Sequence, residues 1–74
     1  MPHFIVKLFP GKSDAQKKAL TEKIVQATQE TLEVGENVIS VAFEEVAQDD
    51  WDAKVTQPDL IPKKDLLYKK PDYI

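Results

Sequence analysis

His3-Phe4-Ile5-Val6-Lys7-Leu8-Phe9 is rich in β-branched and aromatic residues and is halted by Pro10-Gly11, the pattern of a strand running into a turn. Phe4, Val6 and Leu8 share one face, while Ile5, Lys7 and Phe9 share the other. Both faces are largely apolar, so both are expected to meet protein. Ser13-Asp14-Ala15-Gln16 follows, a hydroxyl N-cap with glutamine three residues on, which is a capping box. Leu20, Ile24, Ala27, Thr31 and Val34 then recur in steps of three and four. This spacing predicts a helix over residues 14–34 with Gly35 as its stop. At 1.5 Å per residue it is ~30 Å long, enough to run back over the strand. Residues 38–46, Val-Ile-Ser-Val-Ala-Phe-Glu-Glu-Val, form a second strand with Ile39, Val41 and Phe43 on one face and Ser40, Ala42 and Glu44 on the other.

Strand, covering helix and strand make a β-α-β unit, with parallel strands and a right-handed crossover expected. The fold class is therefore α+β, in one domain spanning residues 1–74. The last third is less regular. Asp49-Asp50-Trp51-Asp52 is an acidic turn, Pro58 and Pro62 should break any long helix, and residues 63–70 have room for a short helical turn before Pro71. Two parallel strands are not a stable sheet alone. The helix covers one face and leaves the other face and both edges open, which invites a second chain. The simplest closure is a two-fold dimer with a four-stranded sheet.

Composition narrows the chemistry. Seventy-four residues without cysteine are short for a self-sufficient core, and disulfides are excluded as the staple. His3 is the only histidine, which leaves zinc sites and Ser–His–Asp or Cys–His machinery poorly supplied. Ten basic residues against thirteen acidic give a net charge of −3, the wrong balance for a nucleic-acid binder. All the basic residues are lysine, so a bound carboxylate would meet a point charge or backbone N–H groups rather than a bidentate fork. There is no run long enough to span a membrane and no signal-peptide pattern, so a cytoplasmic location is expected.

Pro2 follows Met1. With Met1 attached the Pro2 nitrogen is an amide. Removal of Met1, usual before small residues, would leave a cyclic secondary amine. Free α-amines titrate near ~8, and apolar or cationic surroundings lower that value, so such an amine is a fit general base. Position alone leaves open that Pro2 merely follows the initiator.

Taken together, Met1-Pro2-His3-Phe4-Ile5-Val6-Lys7, Gly11-Lys12-Ser13-Asp14-Ala15-Gln16-Lys17, residues 39–46 followed by Trp51, and Lys69-Lys70-Pro71-Asp72-Tyr73 resemble the tautomerase superfamily. Within it the chain is similar to the short 4-oxalocrotonate tautomerase type of subunit and to its dimeric PptA-type branch. The resemblance implies a cofactor-independent tautomerase that interconverts enol and keto forms of 2-oxo acids, with Pro2 as the catalytic general base and acid. It also implies Lys12, Ser40 and Trp51 as substrate-binding residues, and a homo-oligomer, a dimer rather than a hexamer. Well-known members carry arginine at the positions matching Lys12 and Ser40. The change disfavours a dicarboxylate such as 2-hydroxymuconate and favours a mono-acid with an apolar tail such as phenylenolpyruvate.

Strand geometry adds a constraint. Seven residues at 3.3 Å put Pro2 and the start of the turn before Lys12 roughly 23 Å apart, so Lys12 is expected to approach the Pro2 of an antiparallel partner. Lys17 and Lys18 sit near the helix N-terminus, either as anion contacts or as a solvated helix start. Trp51 either walls the pocket or anchors a core or interface. Phe9 and Phe43 read as core or interface, His3 as structural or surface, and Lys63, Lys64, Lys69 and Lys70 as solvated or interfacial charges. Glu44 and Glu45 point to opposite faces and are no paired-carboxylate site. Two alternatives stand beside the tautomerase: a hydratase or dehalogenase using the same proline, and a non-catalytic β-α-β dimerisation or ligand-binding module.

Overall fold

The computed structural model describes residues 1–74. Strand β1 (His3–Leu8), helix α1 (Asp14–Leu32) and strand β2 (Ser40–Glu45) form the β-α-β unit. The strands are parallel, in a register that runs from His3↔Ser40 to Leu8↔Glu45. Short 3₁₀ turns at Glu36–Val38, Gln48–Asp50 and Lys64–Leu66 punctuate the rest, and residues Asp52–Leu60 wind as a π-helical segment.

The start of α1 follows the sequence pattern closely. The Ser13 hydroxyl accepts from the Gln16 N–H, and the Gln16 side chain accepts from the Ser13 N–H, so two otherwise orphaned donors are satisfied together. The end differs. The helix stops at Leu32, and Glu33 rather than a glycine takes the left-handed conformation, with φ 57°. Gly35 is extended, with φ −78°. A Cβ there would lie 2.6 Å from Asn37 Oδ1, the tip of an exposed side chain that can swing aside.

The inward face of α1 is also rotated from the expected stripe. Thr28 is buried and Lys17, Thr21, Ile24 and Val25 are half-buried, whereas Leu20, Ala27 and Thr31 are exposed. The threonines can face inward because their hydroxyls are satisfied locally. Thr21 Oγ1 donates to the Lys17 carbonyl at 2.8 Å, and Thr28 Oγ1 donates to the Ile24 carbonyl at 2.6 Å. With the hydroxyl so engaged, each threonine can offer its methyl group to its neighbours.

Helix α1 covers the Val41–Phe43–Glu45 side of the sheet, where Lys17 Nζ reaches Glu45 Oε2 at 2.9 Å. The other side is not left wholly open as the sequence suggested. The segment Asp52–Leu60 lies over it and ties down through Asp59 to Lys7 at 2.5 Å. Pro58 was expected to break a helix here, yet it sits inside the winding. A π turn bonds five residues back, as Ile61 N–H does to the Thr56 carbonyl at 3.0 Å. The wider turn relieves the clash between a proline ring and the carbonyl four residues earlier.

This single chain has almost no sealed interior. Only Val55, Thr28 and Thr56 are buried. The accessible surface is 5829 Å², against about 4600 Å² for a compact monomer of this mass. The radius of gyration is 13.9 Å, against about 11 Å for a compact chain of this length. Ile5, Phe9, Leu20, Leu32, Ile61 and Leu66 are among the apolar side chains left exposed. No helix is long and apolar enough to cross a membrane.

Candidate active site

Pro2 directly precedes β1, and its carbonyl accepts from the Ser40 N–H at 3.2 Å. That bond extends the ladder by one step and holds the proline against the start of β2. Beside it, His3 Nδ1 lies 2.6 Å from Ser40 Oγ. The hydroxyl named by the sequence as a substrate contact is thus paired with the one histidine. One end of the sheet therefore carries Pro2, His3 and Ser40 together.

Lys12 and Trp51 lie at the opposite end. Leu8 pairs with Glu45 there, and the chain leaves β1 through Pro10 and Gly11. Gly11 has φ 118°, a conformation that side-chain-bearing residues rarely adopt, and this turn sets the direction in which Lys12 departs. A hollow of about 920 Å³ opens here, lined by Phe9, Lys12, Gln48, Trp51, Thr56 and Tyr73 among others. The rings of Phe9 and Trp51 meet edge to face, with centroids 5.0 Å apart, a favourable aromatic geometry. Trp51 Nε1 donates to the Tyr73 hydroxyl at 3.0 Å.

Charge in this hollow is distributed unevenly. Lys7 borders it, but Asp59 engages its ammonium. The hydrogen bond that Lys7 donates to that carboxylate outweighs partial desolvation, and the charges of Asp59 and Glu44 add to it, so the Lys7 pKa is raised above the ordinary lysine value. Ion pairs also occupy both helix-start lysines: Lys18 pairs with Asp14 in solvent, as a solvated helix start would, whereas the half-buried Lys17 ties the helix to Glu45 of β2. Lys12 is in none of these pairs, so its charge remains available to an anion.

Of the four residues singled out from the sequence, the structure brings Pro2 to Ser40 and Lys12 to Trp51. It does not bring the two pairs together within one chain. They are separated by β1, about 20 Å for six residues at 3.3 Å each. Sequence reasoning missed Tyr73 and the Lys7–Asp59 pair. The Tyr73 signal was indirect: an indole N–H in a partly buried setting needs an acceptor, and a tail that returns to the sheet can supply one.

Comparison with known proteins agrees with this architecture. Residues 2–58 match the family model described as tautomerase enzyme. The chain is 39% identical over 74 residues to tautomerase PptA of Cronobacter sakazakii, covering 99% of this chain and 97% of that one. It is 39% identical over 51 residues to 2-hydroxymuconate tautomerase of Bacillus subtilis, covering 69% of this chain and 82% of that one. Among solved structures it resembles YwhB, a homologue of 4-oxalocrotonate tautomerase, with TM-score 0.66 and 35% identity over 80% of this chain and 98% of that one. The family model spans the whole β-α-β unit, and the chain belongs to the tautomerase family.

Proposed function

We propose that this tautomerase interconverts enol and keto forms of a 2-oxo mono-acid such as phenylenolpyruvate, in a site shared between two copies of the 1–74 domain. With Met1 removed, Pro2 is a secondary amine that takes a proton from the enol hydroxyl or an adjacent carbon. The resulting ammonium returns it at another carbon of the same molecule. Lys12 holds the carboxylate and offsets the charge that develops on the dienolate. Ser40 contributes a hydroxyl beside Pro2, and Trp51 keeps the substrate's apolar end dry. Proton transfer within one substrate needs no cofactor.

The observation that carries the shared site is the arrangement along β1. Its outer edge is unpaired, since the sheet order is β1-β2. An antiparallel β1–β1 pairing across a two-fold axis gives a four-stranded sheet and lays the Pro2 end of each copy beside the Lys12–Trp51 hollow of the other. A dimer is favoured over a hexamer because the segment Asp52–Leu60 already occupies part of the far sheet face. A mono-acid is favoured because Lys12 is the one cation of the hollow not engaged by a carboxylate.

The test begins with intact mass of the protein from its native source, expected one methionine residue below the full-chain value. Ketonisation of phenylenolpyruvate is then compared with Pro2→Ala, which should lose on the order of 10²–10⁴-fold in kcat. Equal turnover by the variant, or full activity with Met1 retained, refutes the proline mechanism. A clear kinetic preference for 2-hydroxymuconate refutes the mono-acid assignment.

A further inference from the structure

A second hollow, about 430 Å³, lies behind the first and is lined by Ile5, Val55, Leu60 and Pro71 together with the Lys7–Asp59 pair. Lys7, Trp51 and Tyr73 border both hollows. Trp51 and Tyr73, joined by the indole-to-phenol hydrogen bond, therefore form the partition between them. The two halves of the partition are held very differently. Trp51 is half-buried, caps the Gln48–Asp50 turn and packs on Phe9. Tyr73 is 59% exposed, and beyond Leu67 the chain forms no backbone–backbone hydrogen bond. The bond to Trp51 is thus the only side-chain hydrogen bond that ties the ring to the rest of the fold.

From this we infer that Tyr73 is the residue that sets the length of acid the enzyme accepts. The inference deepens the reading above, because it takes the Lys12 hollow as the place where the acid binds. With the carboxylate on Lys12, the apolar tail extends along Phe9 and Trp51 and meets the Tyr73 ring. A single phenyl ring ends there. A longer aromatic tail must displace the ring and break its bond to Trp51, after which it enters the second hollow, whose lining is mostly apolar and includes Lys63 beside the Lys7–Asp59 pair. The indole can only donate, so the phenol accepts from it and keeps its own proton for a substrate oxygen or water.

The experiment is a calorimetric titration of the folded full chain with phenylpyruvate and with 4-biphenylylpyruvate, for the native protein, Tyr73→Phe and Tyr73→Ala. The native chain should bind the phenyl acid more tightly. Tyr73→Ala should shift the affinity ratio towards the biphenyl acid by roughly tenfold, the scale on which apolar pockets discriminate. Tyr73→Phe keeps the ring and loses the latch, so it should shift the ratio by less. The single indole N–H resonance of Trp51 should also move in Tyr73→Phe. Identical ratios in all three proteins, failure of the native chain to bind either acid, or an unmoved indole resonance overturns the assignment. Absence of turnover by the Met1-processed chain would count against the proline mechanism alone and would leave these binding ratios readable, so the two readings fail separately.

Discussion

Two inactive chains should make one active enzyme. Pro2 and Lys12 lie at opposite ends of β1, so a shared site takes each from a different copy. Consider Pro2→Ala and Lys12→Ala, each inactive alone. In a mixed dimer one site combines the intact Pro2 of the second chain with the intact Lys12 of the first, while the other site carries both substitutions. Random assortment of equal amounts makes half of the dimers mixed, with one working site in two, so specific activity should recover to about one quarter of native. The assay is phenylenolpyruvate ketonisation after co-expression with distinguishable tags, or after joint unfolding and refolding, with each variant alone as the baseline. Both side chains are partly or fully exposed, so neither substitution empties a core. Recovery near zero, with mixed dimers demonstrated by their tags, refutes the shared site and demands a route that brings Pro2 and Lys12 together within one chain.

Three further outcomes follow from the packing. Val55→Ala removes the one buried apolar side chain; at ~0.8 kcal/mol per carbon plus a cavity term the loss is about 2 kcal/mol, roughly 10 °C in thermal midpoint, and an unchanged midpoint would show that Val55 is not part of a core. Ser13→Ala breaks the capping box and should cost about 1 kcal/mol in urea unfolding, with Ser13→Asn largely restoring it. Asp59→Asn should lower the thermal midpoint at neutral pH. Because the folded Lys7 pKa is raised, the pair's contribution is complete below the unfolded lysine value and is lost as pH rises through the folded one. The gap between native and Asp59→Asn midpoints should therefore close at strongly alkaline pH, and a gap that widens there contradicts the assignment.

The parts of the fold that were legible in the sequence are those fixed by local chemistry. The alternation of residues 3–9 and the Ser13–Gln16 box each need only neighbours a few residues apart, and β1 and the start of α1 lie where these patterns put them, whereas the second strand, expected over residues 38–46, runs Ser40–Glu45 because Glu36–Val38 wind as a 3₁₀ turn. The inward face of α1 was misread because Thr21 and Thr28 count as polar in any periodicity. Their hydroxyls are spent on the preceding turn, which hydrophobic spacing cannot register. The π-helical winding around Pro58 contradicts the usual reading of an internal proline, and what makes room for it is a hydrogen-bond pattern with no residue signature. At the candidate site, Ser40 beside Pro2 follows from strand register once two parallel strands are paired. Tyr73 beside Trp51 spans 22 positions of irregular chain and had no spacing rule to announce it.

The scarcity of sealed interior in the single chain bears on how the protein responds to its own abundance. The protomer exposes about 1200 Å² more surface than a compact monomer of its mass, and Val55 is its one buried apolar side chain. In the proposed dimer, where a second copy would close that surface, the free energy that keeps the chain folded and the free energy that holds two chains together would become one quantity, set by mass action. The melting temperature then climbs with protein concentration, and specific activity falls on extended dilution as chains unfold. For such a molecule, water in excess is a denaturant.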